Sequence, residues 1–325
     1  MGSGIERYAD SSMYEAVPIE PTEEGLIEPK VTLLSMTPDP LGAIAAACRM
    51  YEGIPTYKLS DITDDERRRY FDDVQKTHLT APMEFVKLHY FIEGVDRGFT
   101  HQIVRQRTAV FAQESLRFAV KDHMAEETVM PPSVAELPAH HPTRQMWEKH
   151  LKGVQDFYNY LIANDIPAED ARSILPHAVG TRLNYCTDLR NLREHAGNRL
   201  CTQAQMHWRD VFTQIKDCIA IYTPDFSWLE TFEFNRSVYA DAWEEKHRWQ
   251  FELLANSGLF KPACYQQGHC PFKASFDRGC TIRERVDLNA LSGRESSDWP
   301  YASYNGSIPA IEDSEWQLDR KAAFQ

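Results

Sequence analysis

The sequence lacks several patterns by which common protein classes are identified. It contains no run of 18 uninterrupted apolar residues, so we expect no membrane-spanning helix and no membrane partner. Residues 1–4 carry neither a basic region nor an apolar core, so we expect no secretion and a cytoplasmic location. The 15 glycines form neither G-x-G-x-x-G nor G-x-x-x-x-G-K, and H-E-x-x-H and G-x-S-x-G are also absent. These absences exclude the commonest dehydrogenase and kinase interpretations.

Positive charge is scarce as well. The chain has 35 Lys and Arg against 48 Asp and Glu, a formal net charge of -13. Such a balance disfavours a partner held through many backbone phosphates, so we expect no nucleic-acid polymer. It remains compatible with one small anion, provided that arginines cluster locally. The hydrophobic content of 42% is ordinary for a soluble globular protein.

Composition divides the 325 residues into three predicted segments. Residues 1–29 are polar and acidic with three prolines, which predicts a flexible N-terminal arm. Residues 30–255 carry the periodic apolar patterns and are predicted to form the catalytic domain. Residues 256–325 contain three of the seven cysteines and are predicted to form a C-terminal extension.

Local patterns predict the elements of the central segment. Runs rich in β-branched and aromatic residues predict strands at 31–36 and 84–95. The proline-rich residues 121–142 predict a loop. Apolar spacing and capping residues predict helices at 43–51, 63–77, 144–163, 168–175, 188–222 and 237–254.

The stretch from Phe99 to Val120 is the richest in side chains that bind anions. Arg105, Arg107 and Arg117 lie there with Ser115, among apolar residues. Guanidinium groups bind phosphate as bidentate forks, and a hydroxyl with nearby N–H groups completes such a site. From composition alone a second interpretation is equally open, in which these arginines pair with carboxylates on a half-buried element.

The spacing of these residues resembles a family signature. Arg105-Gln106-Arg107, seven residues and Ser115 are similar to the Arg-His-Arg-x7-Ser signature of flavin-dependent thymidylate synthases. Further segments resemble that family in order, over residues 31–225: Thr37-Pro38-Asp39-Pro40, His78-x-Thr80 with Glu84, Arg172-Ser173-Ile174-Leu175-Pro176, and Arg190, Arg199 and Gln205. The resemblance implies an α+β fold, with a central, mostly antiparallel sheet packed by long helices.

The resemblance also implies a reaction, the reductive methylation of dUMP to dTMP. FAD is the implied redox carrier, and NADPH and methylenetetrahydrofolate are the implied co-substrates. The protein itself would supply orientation and electrostatics. A homotetramer with shared active sites is implied by analogy.

The implied roles follow position by position. Ser115 and Arg199 would be catalytic, with Arg199 polarising a carbonyl of the pyrimidine ring. The implied dUMP ligands are Gln102, Gln113, Glu114, Ser115, Arg117, Arg172 and Arg199. The implied FAD ligands are His78, Thr80, Arg105, Gln106, Arg107, Arg190 and Glu194. Helical spacing would group Arg199 with Gln203 on one face.

The sequence departs from the family pattern at several positions. Gln106 replaces the usual His of the signature, Phe85 a second His and Ala112 an Asn. Two alternatives therefore stay open. The enzyme installs another one-carbon group on a uracil nucleotide, such as hydroxymethyl, or the chain is a non-catalytic nucleotide-binding relative that has lost flavin.

The C-terminal cysteines lie outside the family pattern. Cys264, Cys270 and Cys280 fall within 17 residues, and Cys201 provides a possible fourth thiol. In a reducing compartment, clustered thiols favour a metal over disulfides, so we predict a zinc or iron–sulfur site. Because no C-x-x-C is present, three unlinked thiols in a packed extension remain the alternative.

Overall fold

The computed structural model describes residues 17–23, 25–77, 79–201, 204–227 and 236–267. Over these residues the fold is α+β, as predicted. The strands are β1 (Lys30–Met36), β2 (Lys87–Asp96), β3 (Val110–Gln113) and β4 (Gly180–Asp188). The helices are α1 (Pro40–Tyr51), α2 (Asp64–Lys76), α3 (Arg97–Ile103), α4 (Pro132–Ala135), α5 (Pro142–Ala163), α6 (Ala168–Ala171), α7 (Leu189–Arg199), α8 (Met206–Ala220), α9 (Arg236–Ala255) and α10 (Ala263–Gln267). Short 3₁₀ turns lie at Leu59–Asp61, Ala81–Phe85 and Arg172–Ile174.

The strands form one antiparallel sheet in the order β1-β2-β4-β3. At one end of the β1–β2 pair, the Thr37 N–H donates to the carbonyl of Lys87 at 3.0 Å. At the other end, Gly94 lies against the carbonyl of Glu28 with a φ of +70°. A Cβ at this position would lie 2.0 Å from that oxygen, so only glycine fits.

The pairing of β2 with β4 follows the same logic. The Leu189 N–H donates to the carbonyl of Val86, and the Arg97 N–H donates to the carbonyl of His177, both at 3.0 Å. Buried residues alternate along β2 and β4, which is the period expected of strands that bury one face.

Within the described residues, backbone proximity divides the chain into two compact units. The first unit comprises Met1–Val31 and Phe91–Tyr185, and the second comprises Thr32–Tyr90 and Cys186–Gln325. In the first unit, a cluster of buried apolar residues is formed by Leu116, Met124 and Val179. In the second unit, fully buried side chains include Leu41, Ile44, Phe71, Trp208 and Phe212. The predicted boundaries at residues 29/30 and 255/256 remain predictions.

Local capping explains where several helices begin. Thr63 and Glu66 form a capping box at the start of α2, in which each side chain accepts the backbone N–H of the other. The Asp39 carboxylate accepts the Gly42 N–H at 2.9 Å at the start of α1. Asp188 accepts the Asn191 N–H at 3.0 Å and so begins α7 directly after β4.

The prediction of one helix over 188–222 is wrong. Helix α7 ends at Arg199, and α8 begins at Met206 after an extended Gln205. The Arg199 guanidinium lies 4.3 Å from the centre of the Trp208 ring. In a continuous helix, nine residues would separate the two by about 13 Å along the axis, so this contact requires the break. Gln203, predicted to share a helical face with Arg199, lies outside the described residues.

The remaining predicted elements are close to the observed ones. Strands β1 and β2 and helices α1, α2, α5 and α9 confirm the corresponding predictions. The helix predicted over 168–175 is a short α6 followed by a 3₁₀ turn, and β3 and β4 were not predicted. No helix within the described residues has the length and apolar character needed to cross a membrane.

Candidate functional site

The predicted anion-binding stretch begins where β2 passes into α3. The Asp96 carboxylate accepts the Phe99 N–H and caps α3, whose last residue is Ile103. A turn then places Arg105 and Arg107 on the exposed surface of the first unit before β3 begins. The Asp96 cap sets the start of α3, and the pairing of β3 with β4 sets where the chain goes after the turn.

Arg117 and Arg172 of the first unit both bind Glu169, and Arg97 lies within range of the charge of Arg172; we call these three residues the arginine cluster. Arg117 Nε and Nη2 both donate to Oε2 of Glu169, at 3.0 and 2.9 Å. Arg172 Nε donates to the backbone carbonyl of Glu169 at 3.1 Å. Burial lowers the pKa of Arg97, the Glu114 carboxylate opposes this shift, and the positive charge of Arg172 adds to it.

The arginine cluster combines two predicted residues with one that was missed. Arg117 and Arg172 are 55 positions apart in sequence, and the fold joins both to Glu169. Arg97 lies just before the stretch considered in the sequence, and its Nη1 lies 3.5 Å from the backbone oxygen of Glu114. The sequence feature that could have indicated Arg97 is its position directly after Asp96, an aspartate that caps a helix.

The neighbouring polar residues are held within the first unit. Gln113 Nε2 donates to Thr100 Oγ1 at 2.7 Å, which ties β3 to α3. Ser115 Oγ accepts the Arg117 N–H at 3.4 Å. Gln102, predicted to bind the nucleotide, is half-buried on α3. The structure therefore groups Gln113, Ser115 and Arg117 at the end of β3.

Gln106, which replaces the signature His, is anchored to β4. Its Oε1 accepts the hydroxyl proton of Tyr185 at 2.8 Å. Tyr185 is buried and stacks on Phe111, with ring centres 5.4 Å apart and planes inclined by 9°. On either side of Arg105 and Arg107, Val104 and Val110 are 41% and 70% exposed. Two cations and apolar surface are therefore available together.

Two predicted flavin ligands of the second unit form an ion-pair group. Arg190 pairs with Glu84, and its Nε donates to Glu194 Oε1 at 3.4 Å. The hydrogen bond with Glu84 is the main cause that raises the pKa of Arg190. Thr80 is half-buried at the start of a 3₁₀ turn, and its side chain makes no capping bond. His78 lies outside the described residues.

Arg199 is held by an aromatic group of the second unit. Its Nε donates to Nε2 of His195 at 3.4 Å, and its guanidinium lies over the Trp208 ring. His195 packs edge-on against Trp208 and Phe212. Burial, followed by the charge of Arg199, lowers the pKa of His195 to about 3, so this imidazole is neutral at physiological pH. Burial also lowers the pKa of Arg199.

Helix α10, the last helix within the described residues, docks on α7 in the second unit. Gln266 Nε2 donates to the carbonyls of Arg193, Leu259 and Lys261 at 3.3, 3.1 and 2.8 Å. Gly197 faces this amide, and a Cβ there would lie 3.3 Å from Gln266 Nε2. The close approach of α10 to α7 therefore uses the missing side chain.

Two of the four predicted metal ligands lie near this contact. Cys264 is buried on α10, and Cys201 is half-buried two residues after α7. Cys270 and Cys280 lie outside the described residues. Within the described part of the chain, no three His, Cys, Asp or Glu side chains group closely enough to hold a metal ion.

A groove on α5 of the first unit contains no predicted site residue. Its lining includes Met146, Phe157 and Ile174. Lys149 and His150 also line it, but no residue of the predicted anion-binding stretch does, so the candidate site is the arginine cluster and the adjoining end of β3.

The chain is similar to known proteins over most of its length. Residues 32–225 match the family model described as thymidylate synthase complementing protein. The flavin-dependent thymidylate synthase of Geobacter sulfurreducens is 31% identical over 182 residues, which cover 55% of this chain and 77% of that one. The flavin-dependent thymidylate synthase of Pyrococcus abyssi is 27% identical over 263 residues, which cover 79% and 95%. The structure of thymidylate synthase X from Helicobacter pylori with FAD and dUMP aligns with a TM-score of 0.48 at 16% identity, over 70% of this chain and 100% of that one.

Proposed function

Since this chain belongs to the thymidylate synthase complementing protein family, the flavin-dependent thymidylate synthases, we propose that it methylates dUMP to dTMP with FAD as redox carrier. The observation that carries the proposal is the arginine cluster. The guanidinium groups of Arg117 and Arg172 bind one segment, and that of Arg97 lies within range of the charge of Arg172, in a chain whose net charge is -13. The matched region includes all three arginines.

A nucleotide phosphate suits the arginine cluster chemically. Arg117 presents two N–H groups side by side, both now directed at Glu169. The side chains of Arg117 and Glu169 are 48% and 35% exposed, so their pairing is weak. A phosphate dianion carries more charge than a carboxylate and accepts the same bidentate fork, so it competes well for Arg117. Ser115 lies at the same end of β3 and adds a hydroxyl donor.

The residues around Gln106 fit FAD. The exposed guanidiniums of Arg105 and Arg107 suit a pyrophosphate, and the exposed Val104 and Val110 suit an aromatic ring system. Flavin, when bound and reduced, supplies the electrons that convert a one-carbon unit into a methyl group. NADPH and methylenetetrahydrofolate are the proposed sources of the electrons and of that carbon.

Arg199 has the proposed role of polarising a pyrimidine carbonyl oxygen. Its guanidinium stays charged despite burial, because the intrinsic pKa of arginine is very high. The neutral His195 accepts the Nε–H, so it fixes the plane of the guanidinium without adding a competing charge. Trp208 supports the face of the same group. The protein thereby supplies a pre-oriented cation rather than a nucleophile.

Gln106 favours one alternative enough to test it. The amide is a neutral group where the family signature has an imidazole, and the Tyr185 hydroxyl binds its oxygen. A change at this position can alter which one-carbon group is delivered, so hydroxymethylation of a uracil nucleotide is the second candidate. The mass of the nucleotide product distinguishes it from methylation.

We also propose a metal, zinc or an iron–sulfur cluster, bound by Cys201, Cys264, Cys270 and Cys280. The support is the docking of α10 on α7 through Gln266, which brings the Cys264 segment to the C-terminal half of the helix that Cys201 follows. Elemental analysis of the purified protein should find about one zinc, or several irons with acid-labile sulfide, per chain. The Cys264→Ser variant should lose the metal, whereas the control Cys218→Ser on α8 should keep it. A metal-free wild-type protein would exclude the site.

A homotetramer with shared active sites, a cytoplasmic location and the absence of nucleic-acid or membrane partners are further proposals. Sedimentation measurements on the purified chain test the first of these. A monomer at micromolar concentration would contradict it.

The visible absorption spectrum tests the proposed function. The purified protein should show flavin bands that bleach when NADPH is added anaerobically, and faster when dUMP is present. A colourless protein that takes up no FAD but binds dUMP would instead support the non-catalytic relative. The Arg117→Gln variant is the matched control, since it should retain flavin and lose the acceleration by dUMP.

A further inference from the structure

A buried lysine lies behind the end of β3. The side chain of Lys121 is fully buried, and its Nζ lies 3.1 Å from Glu114 Oε1 and 2.9 Å from Glu127 Oε2. The Thr181 hydroxyl donates to the other oxygen of Glu114 at 3.3 Å. Both carboxylate oxygens of Glu114 therefore have partners inside the first unit.

The backbone of Lys121 is also fixed. Its N–H donates to the Tyr158 hydroxyl at 3.4 Å, and its carbonyl accepts from Gln155 Nε2 at 3.0 Å. Tyr158 and Gln155 are buried residues of α5. The backbone of Lys121 is thus attached to a long helix through two hydrogen bonds, and its fully buried side chain has little room to follow a moving partner.

Glu114 stands between residues that bind or position the nucleotide in the proposed function. Gln113 precedes it and Ser115 follows it. Its own N–H donates to the Arg182 carbonyl at 3.0 Å, and its carbonyl oxygen lies 3.5 Å from Arg97 Nη1. A shift of Glu114 therefore moves both neighbours and changes the support of one arginine of the arginine cluster.

We propose that Lys121 is a positioning residue for nucleotide binding, which fixes the end of β3 by clamping the Glu114 carboxylate. A buried ammonium without partners is highly unfavourable, so the two carboxylates and the lysine hold each other in place. Of the two, only Glu114 is part of the β3 end, whereas Glu127 balances the charge. The proposal rests on the proposed function, because it assumes that the anion bound here is dUMP.

The test compares two variants that differ only at Lys121. Glu127→Gln removes the balancing carboxylate and leaves the clamp on Glu114 intact. The double variant Lys121→Met with Glu127→Gln removes the clamp without leaving two unpaired buried carboxylates. The measurements are the Kd for dUMP by calorimetry, and kcat and KM for dUMP with the flavin-loaded enzyme.

We expect Glu127→Gln to bind dUMP like the wild type. The double variant should show a Kd and a KM about tenfold higher, since small displacements of binding groups weaken oriented contacts strongly. Its kcat at saturating dUMP should stay within about twofold of that of Glu127→Gln, because saturating ligand restores the geometry. A merely structural role would instead lower kcat through the loss of folded enzyme and leave KM unchanged.

The outcomes are distinguishable. Equal Kd and KM in the two variants would overturn the role of Lys121 and leave the proposed function standing. A fall in kcat alone would also overturn it. A wild-type protein that binds no dUMP would overturn the proposed function and this inference with it. If the double variant does not fold, Thr181→Val weakens the same clamp from its other oxygen, and it should raise KM in the same direction.

Discussion

Arg117 is one of the residues proposed to bind the nucleotide phosphate. Its guanidinium is engaged by Glu169, yet both side chains are partly exposed, so water and ions reach the pair. An ion pair of this kind contributes little to stability. Arg172 binds the backbone carbonyl of Glu169. An anion that binds Arg117 must therefore displace the Glu169 carboxylate or share the guanidinium group with it.

Removing the competing carboxylate should strengthen nucleotide binding. We expect Glu169→Gln to lower the Kd for dUMP about two- to fivefold, the range set by an exposed ion pair of under about 1 kcal/mol. Glu148→Gln is the matched control. Glu148 forms an ion pair with Arg144 on α5 at 3.2 Å, and neither residue is a predicted ligand. Titration calorimetry measures both, and weaker binding by Glu169→Gln would show that Glu169 contacts the nucleotide instead.

His195 makes stability depend on acid. Its pKa is about 3 when folded and about 6.5 when exposed. Below pH 6.5 the unfolded chain therefore binds a proton that the folded chain does not, so stability is complete above this pH and is lost as the pH falls toward 3.

The variant His195→Phe should remove that dependence. Between pH 6 and 4, the unfolding free energy of the wild type should fall more steeply than that of the variant, by about 1.4 kcal/mol per pH unit. Phenylalanine suits the apolar neighbours Trp208 and Phe212, so the variant should fold. Denaturant unfolding at several pH values measures how the unfolding free energy changes with pH in each protein. Equal changes in the wild type and the variant would show that His195 does not cause the pH dependence.

At the scale of elements, one buried ion pair joins the starts of α1 and α2. Arg67 of α2 donates Nε and Nη2 to the two oxygens of Asp39, at 3.1 and 2.7 Å, and its side chain is only 7% exposed. Burial acts to raise the pKa of Asp39, but the hydrogen bond and charge of Arg67 hold it below its ordinary value. The same carboxylate caps α1 through Gly42.

Breaking this pair should destabilise the second unit strongly. The variant Arg67→Met leaves a buried carboxylate without its cation, which costs about 3–5 kcal/mol. Denaturant unfolding should show this loss, whereas the control Lys76→Met, at an exposed position of the same helix, should stay within about 0.5 kcal/mol of the wild type. A loss below about 1 kcal/mol in Arg67→Met would mean that water compensates Asp39.

The elements that could be predicted are those specified locally. The capping box of Thr63 and Glu66 and the alternation along β2 lie within a few residues, and both elements were found from them. Strand β4 was missed because the alternation of Leu183 and Tyr185 with the polar Arg182 and Asn184 spans only four residues. The break after Arg199 was missed because the apolar spacing continues to Trp208, and only the packing of these two side chains reveals it.

The site was predictable in part for the same reason. Ser115 and Arg117 share one motif, so the sequence alone groups them. The family resemblance groups Arg172 with them. The proposed role of Lys121 behind Glu114 depends on a contact across seven positions, which no spacing rule contains. Arg97 was missed because it precedes the motif.

At the level of the whole molecule, a strongly acidic chain presents the arginine cluster where a small anion is proposed to bind. The net charge of -13 repels long polyanions, and the arginine cluster gives local attraction for one phosphate. The distribution of charge thus favours a small anion over a long polyanion. The reaction at the pyrimidine ring is assigned by the family to which the chain belongs.

The mass of the nucleotide product shows whether the protein methylates dUMP. Purified protein is incubated anaerobically with dUMP, methylenetetrahydrofolate, NADPH and FAD, and the nucleotide is analysed by mass spectrometry. We expect the product to be dTMP, which is heavier than dUMP by one CH₂. At a low concentration of dUMP, the Arg117→Gln variant should form much less dTMP than the wild type. A product that carries a hydroxymethyl group would assign the second candidate function. If dUMP stays unchanged although flavin is bound and reduced, the protein does not catalyse the proposed reaction.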